Sequence, residues 1–407
     1  MDILHCDLNN FYASVEQMLN PELNGKFVAV SGNPEARSGI ILAKNTAAKK
    51  KGVLTGEPIW QAKKKCPELI CVPPHFEYYV HYSKRVRAIY ERYTDRVEGF
   101  GLDECWLDVT HSKIFGTPFE IAEKIRNEVK SETGLTISVG VSFTKTFAKL
   151  GSDMKKPDAT TVISRDNYKE VVWKLPVTDM LYIGKHTGEK LNEMGIFTLG
   201  DLACGSLLAL KKRFGIIGEK IYRAARGEDE EEVREADSER DIKSVGHGTT
   251  TLRDMVTYDD ACKVIFYLSD MVATRLRRYG LIGDTVHLDI RRNDLSHESR
   301  QCKTRATNVS SDVYKTAVKL LKLMWTAQTD KPLRSLTVSV SGLYEVYRGA
   351  QMSLFDERNE KEQQLEYSVD RIRKKFGFNA ITRASMLNND LLSDKTVNEE
   401  DLLPFKR

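Results

Sequence analysis

A chain of 407 residues with 41% hydrophobic, 29% charged and 9% aromatic side chains is globular and long enough for about two to four domains. No run approaches the ~20 apolar residues of a membrane span, and Met1-Asp2-Ile3-Leu4 has no basic segment leading into an apolar one, so membrane, secreted and fibrous classes are excluded. The net charge of +4 conceals a segregation: residues 228–241 hold nine acids against Arg234 and Arg240, a balance of −7, which leaves +11 on the rest and suits a polyanionic partner.

Met1–Leu8 reads as a strand whose lone acid is Asp7, and Phe11–Leu19 as a helix with Phe11, Val15, Met18 and Leu19 at helical spacing. Short strands at Phe27–Ser31 and Gly39–Ala43 lead to a short basic helix, Thr46–Lys51, ended by Gly52. There follow a helix over 76–94, strands at Arg96–Gly99 and Cys105–Val109, an amphipathic helix at Phe119–Glu132 and a strand at Thr136–Val141. Residues 1–10 and 75–165 thus carry the element order of a split βαβ sheet, interrupted by a lysine-rich insertion over 11–74. From 166 to 236 the pattern is helical with glycine punctuation at Gly184, Gly195, Gly200, Gly215 and Gly218, and the acidic strip reads as a linker. Helices at Tyr258–Tyr279 and Ser311–Ala327 with strands at Thr285–Arg291 and Ser335–Val340 predict a compact α+β module over 244–346. The remainder, 347–407, is polar, with one helix candidate at Leu365–Phe376. Seven scattered cysteines without a CxxC pair predict neither a disulfide framework nor a zinc site, and a reducing, cytoplasmic setting.

Chemistry concentrates in two places. Asp7 closes an apolar strand, where it can face a cleft or cap the following helix. Asp103 and Glu104 stand at a turn between two strand candidates, in Phe100-Gly101-Leu102-Asp103-Glu104-Cys105-Trp106-Leu107-Asp108. Adjacent acids in a turn are often only solvated. If all three converge at one sheet edge, however, they repel unless a cation neutralises them. Hard oxygen ligands suit Mg²⁺, and a pair of such ions about 3.5–4 Å apart can drive in-line phosphoryl transfer.

Asp7-Leu8-Asn9-Asn10-Phe11-Tyr12-Ala13-Ser14-Val15-Glu16 resembles the first signature of the Y-family translesion DNA polymerases. Leu102–Asp108 resembles the family's central S-x-D-E motif, and Gly140-Val141-Ser142 through Asp153-Met154-Lys155-Lys156-Pro157 its third block. The resemblance, over roughly residues 1–355, implies a multidomain α+β polymerase shaped like a right hand. Its parts would be a ferredoxin-like palm (1–10 and 75–165), small fingers (11–74), a helical thumb (166–236), a linker (237–243) and an α+β little finger (244–346). It implies a template-directed DNA polymerase that transfers a nucleotide from dNTP to a primer 3′-OH, bypasses lesions at low fidelity within DNA repair and SOS tolerance, and lacks proofreading.

The same resemblance implies the site residues. Asp7 and Asp103 would hold both Mg²⁺ ions, Glu104 the catalytic one, and the Leu8 carbonyl would complete the coordination. Tyr12 matches the steric gate against a ribose 2′-OH, beside Phe11. Lys44-Asn45-Thr46-Ala47-Ala48-Lys49-Lys50-Lys51-Gly52 aligns with the family's phosphate clamp, with Thr46 and Lys49 where many members have Tyr and Arg, so that a bidentate arginine fork is replaced by a point charge. That form, with Asn9, places the chain nearer the bacterial UmuC branch than DinB. Lys156 matches a third phosphate contact.

In the thumb, Leu181-Tyr182-Ile183-Gly184-Lys185 resembles a helix-hairpin-helix, in which Gly184 and Lys185 would meet DNA phosphates and Tyr182 replaces a glycine. Residues 244–348 hold 16 Lys and Arg against 11 Asp and Glu. Among them, Arg291, Arg300, Lys303 and Arg305 would lie along the template backbone. Gln351-Met352-Ser353-Leu354-Phe355 matches the peptide by which bacterial polymerases dock on the sliding clamp, Leu354 and Phe355 filling a pocket while Gln351 and Ser353 anchor the backbone. The implied partners are primer–template DNA, dNTP and that clamp, with UmuD-like or recombinase accessory proteins. A nucleotidyl cyclase with a related palm, or a catalytically silent DNA-binding scaffold, would account for part of the pattern.

Overall fold

The computed structural model describes residues 1–33, 39–236, 238, 241–346, 360–377, 380–386 and 389–392. They fall into two compact units, the first ending at 238 and the second starting at 241. The peptide Gln351–Phe355 lies outside the described residues.

The first unit opens with β1 (Ile3–Leu8), α1 (Phe11–Leu19), β2 (Val28–Ser31), β3 (Ile41–Lys44), α2 (Thr46–Lys50), α3 (Ile59–Lys65) and β4 (Ile70–Val72). Strands in the order β3-β2-β4 form a small sheet with its own core of Ala29, Ile41, Ala48, Val53, Ile59 and Ala62. There follow α4 (Phe76–Tyr90), β5 (Val97–Gly99), β6 (Glu104–Asp108), α5 (Pro118–Thr133), β7 (Ile137–Ser142), α6 (Lys145–Met154) and β8 (Thr160–Ile163). The main sheet runs β5-β6-β1-β7-β8, antiparallel except for β7 and β8. The hydrophobic pattern did not reveal α3, β4 or β8.

Every residue of β1 is buried, because both faces of the sheet are covered. Leu4, Cys6 and Leu8 join Cys105, Leu107, Ile137 and Val139 beneath α4 and α5. Helix α5 is delimited by a capping box between Thr117 and Glu120 and by left-handed Gly134 at φ 76°. Residues of the other parity, Ile3, His5 and Asp7, face α6 together with Trp106 and Ala148.

Helix α6 reaches the sheet only because Gly140 lacks a side chain. A Cβ there would run into the Ala148 carbonyl oxygen and stand 2.5 Å from the Ser152 amide nitrogen. Gly140→Ala is therefore expected to destabilise the first unit by about 3 kcal/mol, the upper range for overpacking. An unchanged denaturant midpoint would disprove the close approach.

Helices α7 (Tyr168–Val172), α8 (Lys185–Glu193), α9 (Leu199–Cys204), α10 (Leu207–Phe214) and α11 (Ile216–Ala225) pack around Leu191, Leu199, Leu202, Leu210 and Ile221. Phe143, Phe147 and Leu150, from α6 and the turn before it, belong to the same core.

The acidic strip is not a free linker over its described residues to 236. Val233 is buried with Ile3, Trp106 and Ala148, and the amides of Arg234 and Ala236 donate to Glu98 and the Asp95 carbonyl at 3.1 and 2.9 Å. The buried Lys145 ammonium, 2.8 Å from Glu98 and 3.6 Å from Glu231, needs carboxylates, and the strip supplies one. A run of like charge read as solvated by composition is thus a strap across the sheet edge.

The second unit comprises β9 (Ser244–Met255), α12 (Tyr258–Arg278), β10 (Leu281–Arg292), β11 (His297–Thr307), α13 (Ser310–Met324), β12 (Leu333–Glu345) and α14 (Glu360–Phe376). An antiparallel sheet ordered β11-β10-β12-β9 packs one face on α12 and α13. The polar tail expected after 346 is, where described, part of this unit. Leu391 enters its core, and α14 docks by its charged face, Glu366 and Asp370 each 2.6 Å from the buried Arg277. The apolar stripe that marked α14 in sequence faces outward, with Leu365 61% and Phe376 66% exposed. Arg277→Met leaves Glu366 buried without its cation and is expected to lower stability by about 3–5 kcal/mol. An unaltered thermal transition of the second unit would show that this pair contributes nothing net.

Candidate active site

Strand register sets the acids. Asp7 stands directly opposite Glu104 across β1 and β6, an arrangement that is repulsive unless neutralised. Asp103 precedes β6 in a turn that uses left-handed Gly101 at φ 90°, and its carbonyl accepts the Leu8 amide at 3.0 Å. Helix α6 lays Lys149 across the pair, with Nζ 3.2 Å from Asp7, 3.0 Å from Glu104 and 3.1 Å from Asp153. Lys156 lies 2.7 Å from Asp7 and 2.8 Å from Asp153. Among the described residues, no group of three or more His, Cys, Asp or Glu side chains closes around a point that a metal could fill. The cations seen between these carboxylates are the two lysines.

Burial pushes the Asp103 carboxyl up to about 6, aided by the charges of Asp7 and Glu104. Burial likewise raises Asp7, against the pull of Lys156 and Lys149. For Glu104 burial is overcome by the hydrogen bond from His5 and the Lys149 charge, which hold it down at about 2. Burial would lower Lys149, but Asp7 and Glu104 keep it well above the ordinary lysine value. His5 is fully buried and held below its usual value by that burial, hence neutral. Its Nδ1 is 2.8 Å from Ser152 Oγ, its Nε2 is 3.4 Å from Glu104 Oε2, and its ring is edge-on to Trp106.

Asp7, Asp103 and Glu104 border a cleft of about 430 Å³. Asp7, Leu8, Phe11, Tyr12, Thr46, Lys49, Asp103, Glu104 and Lys156 all line it, so every metal- and nucleotide-site residue expected from sequence comes together. Asn10, at φ 50°, donates to Thr46 Oγ1 at 2.9 Å and ties the small sheet to the main one. Tyr12 stacks on Tyr79 (ring centroids 4.2 Å apart, 7° between planes) and lies edge-on to Phe76, while Tyr79 donates to Glu16. Burial and the Asp103 charge push the Tyr12 phenol up to about 12.

The other predicted residues are separate from this cleft. Gly184 is the N-cap of α8, and Lys185 is 85% exposed. The left-handed residue of that hairpin is Tyr182 at φ 72°, its ring covered by Lys220 Nζ at 4.4 Å. In the second unit, Arg291 and Lys303 share the helix-free face of the sheet by strand parity, and Arg305 falls within the register shift between Lys303 and Thr307. Arg300, opposite Leu288, lies instead on the helix side at the sheet edge, where it pairs with Glu298. His5, Lys149 and Asp153 were not foreseen, although Lys149, Asp153 and Lys156 recur at helical spacing.

Family models described as the impB/mucB/samB family, that family's C-terminal domain and the thumb domain of DNA polymerase-iota match residues 6–153, 242–354 and 180–229. A DNA polymerase IV of Acetivibrio thermocellus is 46% identical over 95% of this chain and 98% of its own length. DNA polymerase IV 2 of Bacillus subtilis is 37% identical over 94% of this chain and 93% of its own. Both carry the polymerase IV name. A solved Y-family DNA polymerase chimera of Dbh and Dpo4 superposes with a TM-score of 0.74 at 26% identity, over 84% of this chain and 98% of its own. On the matched segments, and on a relative nearly half identical along almost its whole length, the chain belongs to the Y family of DNA polymerases.

Proposed function

We propose that the cleft carries out template-directed extension of a primer, including past damaged template bases. The observation that carries this reading is the side-by-side placement of Asp7 and Glu104, with Asp103 beside them, in a cleft also lined by Tyr12, Thr46, Lys49 and Lys156. The donor set fits Mg²⁺: its oxygens are hard, four carboxylates including Asp153 outnumber two lysines, and Asp103 is held up by burial and by the charges of Asp7 and Glu104. Asp7 and Asp103 would hold two ions, with Glu104 on the one nearer the primer end and the Leu8 carbonyl as a further ligand. Bound there, the ions supply activation of the primer hydroxyl and neutralisation of the phosphates.

The chain's own residues do the rest. Lys156 and Lys49 place positive charge along the triphosphate, and Thr46 offers a hydroxyl already positioned by Asn10. The rigid Tyr12 ring excludes a 2′-OH. The 3′-oxygen forms its bond to the α-phosphorus as pyrophosphate leaves. Gly184 and Lys185, with Arg291, Arg300, Lys303 and Arg305, would position DNA through its backbone without reading sequence.

The domain limits 1–10 and 75–165 for the palm, 11–74 for the fingers, 166–236 for the thumb, 237–243 for the linker and 244–346 for the little finger belong to this reading. So do low fidelity, an SOS and cytoplasmic setting, docking of Gln351, Ser353, Leu354 and Phe355 on a sliding clamp, and UmuD-like or recombinase partners.

The test is primer extension with Mg²⁺ and dNTPs on undamaged and abasic templates. Extension past the lesion is expected, with greater processivity when clamp is added. Primer-independent turnover of nucleotide would favour a cyclase, and DNA binding without incorporation, even with clamp and accessory proteins, a scaffold.

A further inference from the structure

Behind the acid pair sits a polar side chain that the reaction as described does not use. His5 is 0% exposed, two residues before Asp7 on the face of β1 turned to α6. Gly140, its neighbour across β7, leaves the space in which the ring meets Ser152. A neutral imidazole carries one N–H, and the hydrogen bonds around it decide where that proton sits.

The Ser152 hydroxyl lies 2.8 Å from His5 Nδ1 and 2.8 Å from the Lys149 carbonyl, so its one proton goes either to the imidazole or to that carbonyl, which already accepts in the backbone ladder of α6. When Ser152 donates to Nδ1, the imidazole proton is on Nε2, facing Glu104 Oε2 at 3.4 Å. Neither Nε2 nor Oε2 has a hydrogen-bond partner elsewhere, and at 3.4 Å they face each other without a close bond, so the other tautomer would set two lone pairs against each other. Oε2 is shut away from the cleft, so it cannot itself meet a ligand. The oxygen open to reaction is Oε1, now 3.0 Å from Lys149. Whatever holds Oε2 therefore sets the aim of Oε1, above all once Lys149 shares that oxygen with an incoming ligand.

We infer that His5, oriented by Ser152, is a positioning residue that fixes the Glu104 carboxylate for catalysis. The inference rests on the reading of Glu104 as a carboxylate that holds the catalytic ion.

Single-nucleotide insertion kinetics of the full chain separate this role from mere filling of space, using His5→Phe, which keeps the ring but no donor, and His5→Gln, which returns an N–H near Nε2. His5→Phe is expected to lower kcat about 10–100-fold with KM for dNTP within about twofold, the range for loss of a group orienting a metal-holding side chain. The concentration of Mg²⁺ alone that gives half its shift in melting temperature should rise by a similar factor, and His5→Gln should recover most of both. Equal kcat in the two variants, or losses that simply follow their metal-free melting temperatures, would overturn the inference. Glu104→Ala supplies the reference: retained turnover there removes the premise, whereas an inactive Glu104→Ala beside a fully active His5→Phe refutes the role of His5 alone.

Discussion

Asp103→Ala should reduce nucleotide insertion by about 10³-fold, the order found when a preorganised charged group is removed from a reaction centre. Asp103 makes the cleaner test than Asp7. Asp7 is ion-paired with Lys149 and Lys156, so its loss also takes one carboxylate from each of two part-buried cations. Asp103 has burial and two like-charged neighbours working against its ionised form. Removing it relieves repulsion, and the melting temperature of the metal-free protein is expected to equal or exceed that of the parent. Affinity for primer–template, carried by backbone contacts elsewhere, should change by less than about threefold. Insertion assays, melting curves and a binding isotherm give the three readings. Retained insertion would reject Asp103 as part of the reaction centre, and lost insertion with a collapsed melting temperature would make its role structural.

Tyr12→Ala is expected to raise ribonucleotide incorporation relative to deoxyribonucleotide by about 10²-fold, equivalent to about 2.7 kcal/mol of clash relieved. The argument is mechanical. A ring rejects a hydroxyl only if it cannot step aside, and Tyr12 is clamped between a parallel Tyr79 and a perpendicular Phe76. Tyr79 is itself anchored on Glu16, which also receives His75. Tyr12→Phe should therefore keep the selectivity, because ring position and not the phenol does the excluding. Competition between dNTP and rNTP in single insertions decides the matter, and unchanged selectivity in the alanine variant would dismiss the ring as a gate.

Much of the centre was legible because motif residues also occupy fixed strand positions. Asp7 and Glu104 face one another through register, and each stands in a motif block that the sequence displays. Two of their neighbours were harder to find. Lys149 and His5 become neighbours only when α6 crosses the sheet over Gly140, and local patterning does not encode a crossing. Strand β11 escaped notice because most of its side chains, Arg300 and Lys303 among them, are exposed, so no apolar alternation survives. The strap over 228–236 was misread for the opposite reason. Its charge run was plain, whereas the single buried Val233 and the demand of Lys145 for carboxylates lay elsewhere in the chain. In α14 the apolar stripe drew attention to the wrong face, since a buried arginine on α12 does the docking.

Helix α6 gives one side to the sheet, where Lys149 meets the acids and Ser152 meets His5, and sends Phe147 and Leu150 into the core of the helical cluster α7–α11. The two regions are consequently expected to open as one cooperative unit. Amide hydrogens of α6, β7 and the buried turns of α9–α11 should exchange at a common rate that shifts together under mild denaturant. The small sheet of β2–β4, with its own core, should open earlier and independently. A hold on the helical cluster would thereby also hold the lysine that sits between the carboxylates.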